Sequence, residues 1–175
     1  MKKNLIAAAI AAVSILSASS AFAEDGQVNF KGEIIDSACT VVNSVSNPLD
    51  VTLGKVAKTA FTGAGSTAAT TKFTLQLKDC PETVSSATVK FDGTAADGDN
   101  SVLALTDESG VATGVGIQLT DASNAVLPLF TASASYELSS TEDNDLDFVA
   151  RYIATSDTVT AGPANSVASF TVNYN

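Results

Sequence analysis

The chain has 175 residues, enough for one domain or two very small ones. Its 19 acidic and 9 basic residues give a formal net charge of -10, which disfavours nucleic acid and anionic lipid, since both demand clustered Lys and Arg. There is no histidine and no tryptophan, which removes histidine-based nucleophilic and general-base machinery, the commonest metal ligand and most of an aromatic sugar platform.

The chain opens with Lys2 and Lys3, then an apolar run from Leu5 to Leu16, then Ala21-Phe22-Ala23. A short positive region, an apolar core and a small-x-small site read as a secretory signal peptide over residues 1–23. A retained anchor helix is the competing reading, but the run falls short of the ~20 residues that a span needs. Without Lys2 and Lys3, the 152 residues from Glu24 onward carry about -12.

Apolar alternation with period two then recurs to the end. Val28, Phe30 and Ile34 alternate with Asn29, Lys31 and Glu33, which predicts a first strand over about residues 27–35. Gly32 stands in line with the apolar residues, where a side chain belongs. It marks either a bulge in an ordinary strand or a face shaped for the shallow point of a groove. Asn47-Pro48 signals a turn before a short strand at Val51-Thr52-Leu53. Residues 59–71, rich in Ala, Thr, Gly and Ser, read as a long surface loop. Strands follow at 73–78 and 88–91, a turn region at Asp92-Gly93 and Asp97-Gly98-Asp99-Asn100, and a strand at 102–105. Ser109-Gly110 precedes a strand at 115–120, with a shorter candidate at 125–129. Strands at 148–153 and 168–174, separated by the Gly162-Pro163 turn, end the chain. Nine or ten short strands without a sustained helical period predict an all-β, Ig-like sandwich.

Cys39 and Cys80 are the two cysteines. An even count in an exported chain implies one disulfide, closing a loop of about 42 residues and contributing roughly 4 kcal/mol. The rival is two free thiols or half of a metal site, for which carboxylates would have to supply the other ligands.

The strongest enzyme-like constellation is Glu142-Asp143-Asn144-Asp145-Leu146-Asp147. Its alternate carboxylates suggest a calcium loop, but Phe148 and Ala154 stand where that loop needs Gly and Glu. It reads as a solvated acidic loop leading into a strand. There is no nucleophile elbow and no phosphate-binding glycine loop. The expectation is a protein that is not an enzyme and has no catalytic residue, metal or cofactor.

Four segments together resemble the pilins of chaperone–usher fimbriae, most closely a type 1 major subunit. They are Val28-Asn29-Phe30-Lys31-Gly32-Glu33-Ile34-Ile35-Asp36-Ser37-Ala38-Cys39, Leu75-Gln76-Leu77-Lys78-Asp79-Cys80, Ala150-Arg151-Tyr152-Ile153-Ala154, and a C-terminus with Gly162 fourteenth from the end and Tyr174 penultimate. The resemblance implies an incomplete Ig-like β-sandwich (the pilin fold) that lacks its last strand and is completed by a donated N-terminal strand. It divides the chain into a signal peptide (1–23), a donor-strand extension (24–37) and a pilin domain (38–175). It implies that Val28, Phe30 and Ile34 fill a neighbour's groove, with Gly32 as the family's donor-strand glycine. Gly162, Ala168, Phe170, Val172 and Tyr174 would then mark the groove-edge, chaperone-binding C-terminal strand. The implied partners are identical or related pilin subunits, a periplasmic chaperone and an outer-membrane usher, with no nucleic acid and no direct membrane insertion. The implied location is the cell-surface fimbria, reached through the periplasm. Alternatives are a minor (adaptor) pilin of the same fold, or a self-contained secreted Ig-like binding domain in which residues 24–36 complete their own sheet.

Overall fold

The computed structural model describes residues 26–32, 34 and 38–175. The signal-peptide reading and Glu24, Asp25, Glu33 and residues 35–37 of the extension lie outside the described residues. The chain divides into two units at Ile34/Ile35.

In the second unit nine strands form two sheets, and the regular helix is one 3₁₀ turn, Lys58–Ala60, among the described residues. The strands are β1 (Thr40–Val41), β2 (Thr67–Lys78), β3 (Ser86–Asp92), β4 (Ala95–Ala96), β5 (Asp99–Leu103), β6 (Val115–Asp121), β7 (Tyr136–Glu137), β8 (Asn144–Ala154) and β9 (Ser169–Tyr174). One sheet has the order β1-β2-β8-β6-β5-β4 and the other β7-β3-β9. All pairings are antiparallel.

Period-two burial explains the layers. In β3, Ala87, Val89 and Phe91 point inward between Ser86, Thr88, Lys90 and Asp92. Within the six-stranded sheet, Leu75 of β2 pairs with Leu146 of β8, and Phe73 with Phe148. Phe148 is fully buried and meets Phe91 of the other sheet edge-on at 5.1 Å between ring centroids. Such edge-to-face contact adds to the stabilisation from area alone. The β4–β5 hairpin turns through Asp97 (φ 50°) and Gly98 (φ 82°), the left-handed pair that a two-residue hairpin turn requires.

Cys39 and Cys80 form a disulfide with a Cα–Cα distance of 4.1 Å, so the two-thiol and half-metal-site alternatives fall away. The bond joins the start of β1 to the end of β2, beside the Thr40–Lys78 pair.

Several predicted segments differ. Residues 67–71, read as loop, extend β2, which accommodates a bulge between Ala68 and Thr71 with Ala69 at φ 54°. The acidic run is no loop from Asn144 on, because Leu146 is as buried as Phe148 and carries the alternation back into β8. Its acids lie outward and are matched across the sheet. Asp147 accepts from Thr74 Oγ1 at 2.6 Å, Asp145 from Gln76 Nε2 at 3.0 Å, and Asp143 pairs with Lys78 at 3.0 Å. Residues 125–129 make a single bridge, Thr120 to Val126, rather than a strand. The described residues of the predicted first strand, 27–32 and 34, carry no ladder and are not a strand in this structure.

Candidate functional site

β9 is an edge strand. It pairs with β3 from Ala87–Tyr174 to Asp92–Ser169 and has no second ladder partner among the described residues. The inward residues of its neighbour β3 are fully covered, yet Phe170, Val172 and Tyr174 are only half-buried. The alternation begins before the strand, so that Ala164, Ser166 and Ala168 are half-buried while Asn165, Val167 and Ser169 are exposed. The residues that the resemblance groups with the C-terminal strand are not all in it: Ala168 lies just outside the ladder, and Gly162 lies further back, in a bend at the Gly162-Pro163 turn read from the sequence.

A second stretch shows the same half-covered state. Val51, Leu53 and Val56 pack against the core while Thr52, Gly54 and Lys55 are exposed. Up to Gly54 this alternation is a strand pattern, broken where Gly54 and Lys55 are both exposed, but residues 48–56 make no backbone–backbone hydrogen bond among the described residues. A side-chain bond from Thr71 Oγ1 to the Thr52 carbonyl, at 3.4 Å, ties the stretch to β2. The short strand expected at Val51–Leu53 is thus extended but unladdered.

The two stretches meet at a cavity of about 480 Å³. Lys55, Val56, Lys58 and Phe61 line one wall and Val159 to Asn165 the other, over Ala112, Val115 and Tyr152. Tyr152 Oη donates to the Ala164 carbonyl at 3.0 Å, fixing the C-terminal wall to β8. Gly162 is required here for close approach: a Cβ would collide with the Gly110 carbonyl and lie 2.6 Å from Ala112 N. The adjacent Pro163 carbonyl accepts from Ala112 N at 2.9 Å. At the other end, Tyr174 Oη donates to the Cys39 carbonyl at 3.5 Å. Burial pushes the Tyr152 and Tyr174 hydroxyls above the ordinary phenol range.

The Ala150-Arg151-Tyr152 segment is explained by its place on β8. Ala150 and Tyr152 face the core, and Arg151 reaches the opposite residue, Gln118, whose Oε1 accepts from Nε at 3.0 Å and Nη2 at 2.7 Å. Of the residues expected to fill a groove, Val28 is 75%, Phe30 94% and Ile34 98% exposed, and nothing crowds a Cβ at Gly32. The sequence reading missed Val56, Phe61 and the two lysines of the cavity wall. The signal was the spacing of Val51, Leu53 and Val56 on the far side of the Asn47-Pro48 turn.

A two-layer β-sandwich with one disulfide and a terminal strand left as a half-covered edge is the pilin fold. A model of the fimbrial protein family matches residues 28–175, and the chain belongs to that family. It is 35% identical over 175 residues to long polar fimbria protein A of Salmonella typhimurium, covering 99% of this chain and 97% of that protein. It is 38% identical over 183 residues to the type-1 fimbrial protein, A chain, of Escherichia coli K12, covering 99% and 100%. The crystal structure of a Burkholderia pseudomallei antigen and type I fimbria protein matches with a TM-score of 0.61 at 39% identity, over 85% of this chain and 97% of that one. The chain is a structural pilin subunit of a surface fimbria, built to assemble with related subunits.

Proposed function

We propose that residues 24–37 of one subunit enter the groove between residues 48–56 and β9 of the next, and that this donated strand holds the fibre together. The observation that carries the reading is the half-covered inward face of β9 beside an unused backbone edge. An exposed edge over apolar side chains is a ready template for another chain, and strand addition supplies hydrogen bonds and side chains at once. The extension offers what the groove lacks: Val28, Phe30 and Ile34 are exposed and share one period, with Gly32 for a shallow point between them. On this reading Ala168, Phe170, Val172 and Tyr174 edge the groove and Gly162 shapes its end. A periplasmic chaperone covers the same edge before assembly, and an outer-membrane usher is the site of exchange. Residues 1–23 direct export and are removed.

The test is Phe30→Asp in the full chain, which places a charge in an apolar groove. The variant is expected to accumulate in the periplasm, folded and disulfide-bonded, without fibres. Fibres at wild-type yield would overturn the donor assignment.

A further inference from the structure

The cavity at the end of the groove is basic in an acidic protein. Lys78 and Lys90 are paired with Asp143 and Asp92 at 3.0 and 3.1 Å, and Arg151 is engaged by Gln118. Lys55 and Lys58 stand exposed on the cavity wall, and no acidic residue lines it. One carboxylate is tied to the opposite wall, Glu108, whose Oε1 accepts from Asn165 Nδ2 at 3.0 Å.

We propose that this cavity receives Ile34 of the neighbouring subunit, with Lys55 and Lys58 meeting Glu33 and Asp36 on either side of it, and that this contact sets the register of the donated strand. The inference rests on the donor-strand reading above.

Two features of the cavity select the occupant. Val56, Phe61, Val115, Tyr152 and Val159 call for a large apolar side chain, and the lysines call for adjacent carboxylates. Within the extension, Val28 is flanked by Gln27 and Asn29, and Phe30 by Asn29 and Lys31. Glu24 and Asp25 are followed by Gly26 and Gln27, with nothing apolar to fill the space. Ile34 alone among the three exposed apolar residues has acids as near neighbours on both sides. A slip of two residues would present Gly32 to the cavity and bring Lys31 against Lys55 and Lys58. The wrong register therefore leaves the space unfilled and places like charges together.

The experiment follows the assembly rate of full-length subunits with charges exchanged. The wild type is expected to assemble faster at low ionic strength, and K55E/K58E and E33K/D36K are each expected to assemble about three- to tenfold more slowly and to lack that acceleration. A chain carrying all four changes restores opposite charges at every junction and is expected to recover the wild-type rate. No recovery, or an unaltered rate in K55E/K58E, overturns the inference. E33K/D36K changes only the extension, so its defect is not a folding defect of the groove, and thermal unfolding of K55E/K58E checks the other side. Phe30→Asp is run in parallel. Normal assembly of that variant defeats the donor-strand reading itself. Its failure, together with indifference to the charge changes, defeats only the role of the lysines.

Discussion

Removing the Phe30 side chain isolates the energetic basis of donor-strand assembly. Phe30 is 94% exposed in the extension, so filling a groove would bury nearly its whole ring. Truncation of a buried Phe to Ala costs about 3 kcal/mol at the lower end, apt for an open groove that relaxes around the gap. That is roughly a 150-fold loss in affinity. The assay uses the 138-residue domain 38–175 with a peptide of residues 24–37, followed by thermal unfolding. At a peptide concentration 100 times its Kd, the wild-type sequence stabilises the domain by about 2.7 kcal/mol. For a domain of this size that raises Tm by roughly 8–12 °C. The Phe30→Ala peptide at the same concentration falls near its own Kd and raises Tm by only about 1 °C. Equal shifts from the two peptides would refute the idea that Phe30 enters the groove. No shift from the wild-type peptide would refute the groove as an acceptor of this strand.

Asn144→Ala should destabilise the domain by about 2–3 kcal/mol, because Asn144 Oδ1 accepts from Ser139 N at 2.6 Å and Nδ2 donates to the Ser139 and Glu142 carbonyls. The expected result is a lower urea midpoint at unchanged slope, and an unchanged midpoint would contradict it. Cys39→Ser with Cys80→Ser should remove roughly 4 kcal/mol through loss of the loop constraint, which equilibrium unfolding measures. The chain's three tyrosines, Tyr136, Tyr152 and Tyr174, all have their hydroxyls raised above the usual value near 10 by burial, and for Tyr136 also by the Asp121 and Asp147 charges. Their folded pKa values exceed the unfolded ones, so this contribution to stability is complete below about pH 10 and is lost as pH rises through the folded values. Phenolate absorbance should therefore rise later than in the urea-unfolded chain, and coincident titrations would count against the burial.

Most of the strands were legible because half-buried strands write their burial into the sequence with period two. β6 and β9 emerge within a residue or so of where Val115–Thr120 and Ala168–Tyr174 alternate. The alternation fails to reveal structure where side chains are small or charged. Residues 67–71 offer Ala and Thr without contrast, and their bulge shifts the register midway, so the first part of β2 looked like loop. The start of β8 was hidden by Asp145 and Asp147, although Leu146 between them is almost wholly buried. Cross-strand partners such as Thr74 and Gln76, invisible to a local reading, are what make those acids tolerable on a strand. Part of the candidate site was read from β9 alone. Its second wall was not, because residues 51–54 alternate like a strand yet join no backbone ladder, and only the fold shows that they border the same core.

The distribution of strands bears on why such a subunit would form fibres rather than closed dimers. On the proposed reading each chain carries one extension and one groove, and the two are different surfaces. Contacts between unlike surfaces close only if a rotation happens to return to the start, and otherwise propagate. With the extension taken as residues 24–37, the domain that follows is held from its second residue by a bond to the end of β2, one residue before the two-residue strand β1. The same Cys39 carbonyl accepts from Tyr174 at the far end of β9, while the cavity lies before β9 begins. The origin of a subunit's own extension and the basic cavity that would take its neighbour's Ile34 thus mark opposite ends of one strand. On the proposed reading, a donor running from one subunit's Cys39 end into the next subunit's cavity end aligns those strands head to tail. A subunit then offers a new groove each time its extension is consumed. Growth of this kind has no internal reason to stop, so termination calls for a subunit of the same fold whose extension lacks the period carried here by Val28, Phe30 and Ile34.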